Sequence, residues 1–270
     1  MAYRALVLDI DGTLTNREKQ ITPRTKEAVR NLQKRGVPII LASGRPTAGV
    51  TPMAEELDMK RYGGFILSFN GAKLVDCGTG KTVFERTLPA EKIPQILSFA
   101  EKNNVVALSY ENDNTVITEH PDDRYVQMEG KLNRIPVRKV KNLAAYLTFP
   151  AVKCLLVGDG AHMARLEELA KEEIGSGLSI YRSEPYFLEM MPCGVDKGSA
   201  LKELISYMGV SREELVACGD GFNDLSMIRF AGLGVAMANA QEEVKQAADA
   251  VTASNEEDGV ALAIERYFSE

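Results

Sequence analysis

Apolar residues in this chain fall into two patterns: short unbroken runs, and stripes that recur every three or four residues. The runs have the length of buried strands, and the stripes mark helices packed on one face. "YRALVLDI" (residues 3–10) carries the first run. "TPRTKEAVRNLQKRG" follows, with Thr22 placed as an N-cap, Pro23 at the first helical position and Gly36 as the stop. Its Ala28, Val29 and Leu32 fit one helical stripe. "VPIILAS" (37–43) predicts a second strand, a helix follows over about 47–57, and "GGFILSFNG" predicts a third strand. Strand, helix, strand, helix, strand implies parallel pairing through right-handed crossovers.

The same alternation returns near the C-terminus. "DKGSALKELISYMG" predicts a helix closed by Gly209, and "SREELVACGDG" a capping Ser211 followed by a strand over 215–218. The helix "NDLSMIRFAG", the strand "LGVAM", a helix over about 242–248 and a last helix from Glu257 complete it. The two terminal parts read as halves of one doubly wound, Rossmann-like parallel sheet, an α/β fold. Between them the pattern changes to paired short strands ("VVALSYEN", "NTVITEH"), a polar helix around 121–131 and a second αβ unit. That unit is "VKCLLVGD", "GAHMARLEELAKEEIG" and "LSIYRSEPYFLEMM". The expected organisation is a discontinuous core domain, 1–80 with 190–270, and a smaller α/β domain inserted over 81–189. No internal repeat or low-complexity tract is evident.

With 270 residues, 45% of them hydrophobic, the chain can bury one large core or two medium ones. The formal net charge is −6 and the lysines and arginines are dispersed, which argues against nucleic acid as a partner. No apolar run is long enough to span a bilayer, and residues before the first strand show no secretory pattern. Cys77, Cys154, Cys193 and Cys218 form no close pairs, so reduced thiols in a cytosolic protein are expected.

The candidate chemistry sits where the runs end. Asp9 and Asp11 follow the first strand, Ser43, Gly44 and Arg45 the second, Asn70 and Gly71 the third, and Asp220, Asn223 and Asp224 follow "LVAC". In an open parallel sheet these ends converge at the switch point of the strand order, where ligands bind. Two carboxylates one residue apart raise each other's pKa and call for a counter-charge. Magnesium takes oxygen ligands and keeps some waters. Asp9, Asp220 and the backbone carbonyl of Asp11 are therefore expected to hold Mg²⁺. A carboxylate can attack phosphorus, and Asp9, at the end of a rigid strand, is the natural nucleophile. Asp11, just past the tip, is placed to protonate the leaving oxygen and then to deprotonate water. A transferring phosphoryl group needs donors around it. Ser43, Lys197 and loop amides near Gly12 and Asn70 are candidates.

"DIDGT", "ASGR", "DKGSAL" and "GDGFNDLSM" resemble the four motifs of the haloacid dehalogenase-like superfamily of phosphatases. The large α/β insert between the second and third motifs resembles the Cof-type branch, and the likeness spans essentially the whole chain. It implies Asp9 as nucleophile, Asp11 as general acid/base, Ser43 and Lys197 on the phosphoryl group, Asp220 on Mg²⁺, and Asn223 and Asp224 in support. Gly12, Thr13, Gly44, Asn70, Gly71 and Asn223 complete the expected phosphate and substrate contacts. The insert would be a cap that closes over the active site and selects the substrate. The dehalogenase branch lacks the second aspartate present here as Asp11, and the P-type pumps read DKTGT.

Plainer readings exist for each residue. Asp9 and Asp11 could form a capping turn, Lys197 could be a solvated first-turn residue, and Ser43 could cap the next helix. Arg45 reads as a structural ion-pair residue, and Asn70–Gly71 as a turn pair. His120 and His162 read as surface or N-cap residues, and "YFLEMMP" as packing. The expected function is a cytosolic, Mg²⁺-dependent phosphatase that acts on a small phosphorylated metabolite, foremost a sugar phosphate, through an aspartyl-phosphate. A phosphomutase and a non-catalytic phosphate-binding regulatory module are the alternatives. Oligomeric state and the identity of the substrate are not legible.

Overall fold

In the computed structural model, which describes residues 3–269, the three N-terminal apolar runs become β1 (Ala5–Leu8), β2 (Ile39–Ala42) and β3 (Gly64–Ser68). Two strands with no strong sequence signal follow, β4 (Lys73–Asp76) and β5 (Thr82–Glu85). The insert carries β6 (Val106–Glu111), β7 (Thr115–Thr118), β8 (Val137–Lys139), β9 (Cys154–Val157), β10 (Leu178–Glu184) and β11 (Phe187–Pro192). The chain returns with β12 (Leu215–Gly219), β13 (Leu233–Ala236) and β14 (Ala250–Val251).

One sheet has the order β14-β13-β12-β1-β2-β3-β4-β5. β1 pairs in parallel with both β12 and β2, and all four of its side chains are fully buried. Burial on both faces is why the run is unbroken rather than alternating. From β1 the chain winds outward one way through β2 and β3 and later the other way through β12, β13 and β14. The switch point therefore lies at β1 and β12, and the carboxyl ends of β1, β2, β3 and β12 lie side by side. Right-handed crossovers in opposite directions put helices on opposite faces. The helices Pro23–Lys34 and Gly259–Tyr267 pack on each other, as do Lys197–Met208 and Leu225–Phe230. Thr22 caps the first of these by accepting from the Thr25 N–H at 3.3 Å, and Gly209 ends the third with φ +66°.

The chain divides into two compact units. The first holds the chain up to Arg45, Val50–Phe84 and everything from Asp196 onward. The second holds Glu85–Val195 with Pro46–Gly49. The second unit thus begins and ends a few residues later than the expected boundaries at 81 and 189. β5 belongs to the edge of the first sheet, and β11 runs to Pro192 inside the second.

That second sheet has the order β10-β11-β9-β6-β7-β8 and is antiparallel except between β7 and β8. "LSIYRSEPYFLEMM", expected to close one αβ unit, is instead a hairpin: β10 and β11 pair antiparallel and turn at Pro185–Tyr186. A helix that the motif-led reading passed over, Lys92–Lys102, buries Ile93, Ile96, Phe99 and Ala100 on one stripe. Phe187 to Pro192 are all buried, in line with packing, and His162 Nε2 lies 3.1 Å from the Asn103 carbonyl.

All four cysteines are free thiols. Burial pushes Cys154 and Cys218 up to about 12, and burial with the Asp76 charge does the same for Cys77, which favours the neutral thiol at all three. Among the described residues no helix is long and apolar enough to cross a membrane.

Candidate active site

The site lies wholly within the first unit, at the carboxyl ends of four adjacent strands. Asp9 continues the β1 ladder, its N–H donating to the Cys218 carbonyl at 3.0 Å, and its side chain is almost fully buried. The chain then folds back on itself: the N–H groups of Thr13 and Thr15 donate to the Ile10 carbonyl, and that of Leu14 to Asp9. Gly12 permits this turn. Its φ is +89°, and a Cβ there would lie 2.3 Å from Asp220 Oδ2, so any side chain would be strained and would displace that carboxylate. Thr13 Oγ1 donates to Asp220 Oδ1 at 3.0 Å, which ties the first acidic loop to the last across 207 residues of sequence.

Beyond β2 and β3 the chain is equally constrained. The Ser43 N–H donates to the Leu67 carbonyl at 2.8 Å, and the Asn70 N–H to the Ser43 carbonyl at 2.9 Å. Ser43 Oγ accepts from the Arg45 N–H at 3.2 Å, a turn within the loop rather than a cap on the helix that starts at Thr47. Asn70 is left-handed (φ +52°) and largely buried, and its Oδ1 accepts from Asn223 Nδ2 at 3.1 Å. Gly44 lies against that amide: a Cβ would sit 3.2 Å from it. Gly71 (φ +103°) comes so close to the Asp196 carbonyl that a Cβ would lie 2.5 Å away.

Lys197 opens the helix Lys197–Met208 and is fully buried. A cation at a helix N-terminus is unfavourable by itself. Here two carboxylates compensate: Nζ lies 2.7 Å from Asp9 Oδ1 and 2.6 Å from Asp224 Oδ1. Burial pulls the ammonium's pKa down, but Asp224 and Asp9 outweigh it and hold the group above its ordinary value. Asp224 Oδ2 accepts from the N–H groups of Asp220 and Gly221, both at 2.9 Å, and so fixes the loop after β12. Burial pushes the Asp9 carboxyl well above the usual carboxylate range, Asp224 adds to this, and Lys197 pulls it back. Burial and then the Asp224 charge push Asp220 up to about 6.

Asp9, Asp220 and Asp224 each bring one carboxylate oxygen within 4.8 Å of the others. A donor set made only of hard oxygen suits a magnesium- or calcium-type cation rather than a softer metal. Asp9 gives Oδ1 to Lys197 and Asp220 gives Oδ1 to Thr13, so an Oδ2 remains on each for a cation. The raised carboxyls mark where positive charge would be stabilised. The residues present therefore fit such an ion.

Asp11 is held differently. Its Oδ1 accepts from Lys19 Nζ and Arg45 Nη2, and its Oδ2 from Arg45 Nε, each at 2.7 Å. Burial raises its pKa, but Arg45 and then Lys19 more than offset this, and the carboxyl ends below its ordinary value. Arg45 is thus an ion-pair residue, as its surroundings in sequence implied. Lys19 is a partner that sequence reasoning missed. It sits at φ +58° in the polar loop "NREKQ", which carries no signal beyond solvation.

The pattern that defines the haloacid dehalogenase-like hydrolases matches residues 6–264. A haloacid dehalogenase-like hydrolase from Bacteroides thetaiotaomicron is 45% identical and superposes with a TM-score of 0.94, over 98% of this chain and 99% of that one. The solved structure of the HAD subclass IIB sugar phosphatase BT4131 is 28% identical with a TM-score of 0.81, over 98% of each chain. In Bacillus subtilis, the 5-amino-6-(5-phospho-D-ribitylamino)uracil phosphatase YitU is 29% identical over 98% of this chain and 97% of its own length. A match over nearly the full length, joined to aspartates converging at the switch point, means that the chain belongs to the haloacid dehalogenase-like hydrolase family, as a phosphoric monoester hydrolase.

Proposed function

We propose that this protein is a Mg²⁺-dependent phosphatase that hydrolyses a small phosphorylated metabolite, foremost a sugar phosphate, through an aspartyl-phosphate on Asp9. The observation that carries the reading is the convergence of Asp9, Lys197 and Asp220 from loops far apart in sequence. The sugar phosphatase and the ribitylamino-uracil phosphatase among the similar proteins support a phosphate monoester on a sugar or polyol as substrate.

In this reading Asp9 and Asp220, with the Asp11 carbonyl, hold the cation, while Asp224 is committed to Lys197 and the loop amides. Mg²⁺, when bound, supplies positive charge that favours an ionised Asp9 and a more electrophilic phosphorus. An Asp9 oxygen bonds to phosphorus as the bond to the substrate oxygen breaks, and Asp11 gives that oxygen a proton. Water then attacks phosphorus, Asp11 takes the proton, and inorganic phosphate leaves with Asp9 restored. Asp11 starts ionised against Arg45 and Lys19, the form that the second half needs. A dianionic ester arriving beside it adds negative charge and favours the protonated form that the first half needs. Lys197 and Ser43, with the amides near Gly12, Gly44 and Asn70, face the charge that spreads over the phosphoryl oxygens. Thr13, Gly71 and Asn223 shape that loop set. The insert selects the substrate. The four free thiols support a cytosolic location.

A panel of phosphorylated sugars and polyols, assayed with Mg²⁺ and with chelator, tests the proposal. The wild type turns over with Mg²⁺ only, and heavy oxygen from labelled water enters the released phosphate. Asp9→Asn falls to background. Equal turnover by wild type and Asp9→Asn would refute the mechanism.

A further inference from the structure

We infer that Asn239 and Asn255 form a brace that fixes the Gly12 peptide against the Asp220 loop, and that both are positioning residues for the reaction. The inference rests on the phosphoryl-transfer reading above for its kinetic consequence, though not for its structural one.

Within the turn after Asp9, the N–H groups of Thr13, Leu14 and Thr15 are satisfied by carbonyls of the turn itself. The carbonyls of Gly12 and Thr15 point out of it. Each is taken by an asparagine from the far end of the chain: Asn239 Nδ2 donates to the Gly12 carbonyl at 2.8 Å, and Asn255 Nδ2 to the Thr15 carbonyl at 2.8 Å. The two asparagines are themselves joined, because Asn239 Oδ1 accepts from the Asn255 N–H at 3.0 Å. A flipped Asn239 amide would face a donor with its NH₂ and an acceptor with its oxygen, so only one orientation satisfies both ends.

The brace also sets register between two loops of the site. Asn239 lies just past β13, in a segment pinned to the β12 loop. The Met237 N–H donates to the Gly219 carbonyl at 3.0 Å, and the Gln241 N–H to the Asp220 carbonyl at 3.0 Å. Asn239 therefore links the backbone that carries Asp220 to the backbone that carries Asp11 and Thr13. Gly12 packs closely on the Asp220 carboxylate, so a rotated Gly12 peptide would move the Asp11 carbonyl and the Thr13 donor together. Asn239 is exposed. Solvent would satisfy both severed groups, which leaves fold stability no reason to require this side chain. A misplacement of about 1 Å in a reacting group can cost on the order of 100-fold in rate, and that sensitivity gives the brace its purpose.

Asn239→Ala removes both bonds, and Asn239→Asp keeps the acceptor for Asn255 while setting an oxygen against the Gly12 carbonyl. Both variants are expected to lose kcat by about 10- to 100-fold with KM little changed, and to melt close to wild type. Amide hydrogen exchange of the metal-free protein gives a readout that needs no turnover. In Asn239→Ala, peptides spanning 10–16 should exchange about tenfold faster, while those covering β2 keep their protection. Unchanged exchange across 10–16 overturns the brace whatever the activity. Unchanged kcat in both variants, or a loss that follows a general fall in melting temperature, overturns its positioning role. Inactive wild type with faster exchange in Asn239→Ala would keep the brace and sink the phosphatase reading instead.

Discussion

Replacing Lys197 with methionine removes the buried ammonium between Asp9 and Asp224 and retains most of the side chain's volume. Side-chain exposure is 0% for Lys197, 8% for Asp9 and 1% for Asp224, so water cannot replace the lost partner. Removing one member of a buried ion pair costs about 3–5 kcal/mol. A second route gives a similar figure. One carboxyl can escape by taking a proton, and neutralising a group of ordinary pKa near 4 at about pH 7 costs roughly 4 kcal/mol. For a unit of this size such a loss lowers the melting temperature by about 6–20 °C. The proton route also sets the pH dependence. In the variant the surviving carboxyls bind protons more tightly folded than unfolded, so the variant regains stability as pH falls, by up to about 1.4 kcal/mol per unit. Scanning calorimetry in chelator at pH values from about 5 to 7.5 would follow both. A gap from wild type that is large near neutrality and narrows toward acid is expected. Adding Asp224→Asn to the variant should recover most of the loss, because it removes one of the unpaired charges. A gap under about 2 °C near neutral pH, or one that widens in acid, would show that the ammonium does not neutralise this pair.

Gly12→Ala should abolish turnover and cost about 1–3 kcal/mol, since it forces a Cβ into the left-handed region and into Asp220 Oδ2; wild-type kinetics and melting would remove the close approach from the argument. Asp220, pushed up to about 6 by burial and then by Asp224, must lose its proton to bind a cation. The Mg²⁺ dissociation constant should therefore rise about tenfold per pH unit below that value, and calorimetric titration showing a flat affinity between about pH 5 and 7 would contradict the assignment. The same raised carboxyl makes the metal-free fold more stable below its unfolded pKa, with the advantage lost as pH rises through about 6.

How much of this was legible beforehand depended on the range of the signal. β1, β2, β3, β12 and β13 were visible because a strand buried on both faces leaves an unbroken apolar run. The short edge strands β4 and β5 were not, because half-exposed residues such as those of Thr82–Glu85 alternate weakly and resemble loop. That weakness also displaced the expected edge of the insert. Asp9, Asp11, Lys197 and Asp220 could be picked out because recognisable motifs surround them. Lys19, Asn239 and Asn255 could not, since a polar residue in a polar loop looks the same with or without a distant partner.

The amino-acid sequence by itself determined the alternation of strands and helices, the strand ends at which carboxylates appear, and the family, because each is written in residues close together along the chain. Only the tertiary structure decided which charge meets which. It set Lys197 between Asp9 and Asp224, turned the Asp11 carboxylate to Arg45 and Lys19, and brought Gly12 under Asp220. Charge pairings in this fold join residues up to 241 positions apart, as in Arg24 with Glu265. They depend on the order in which strands assemble and on how closely loops pack, and no local pattern of hydrophobic and polar positions encodes either distance.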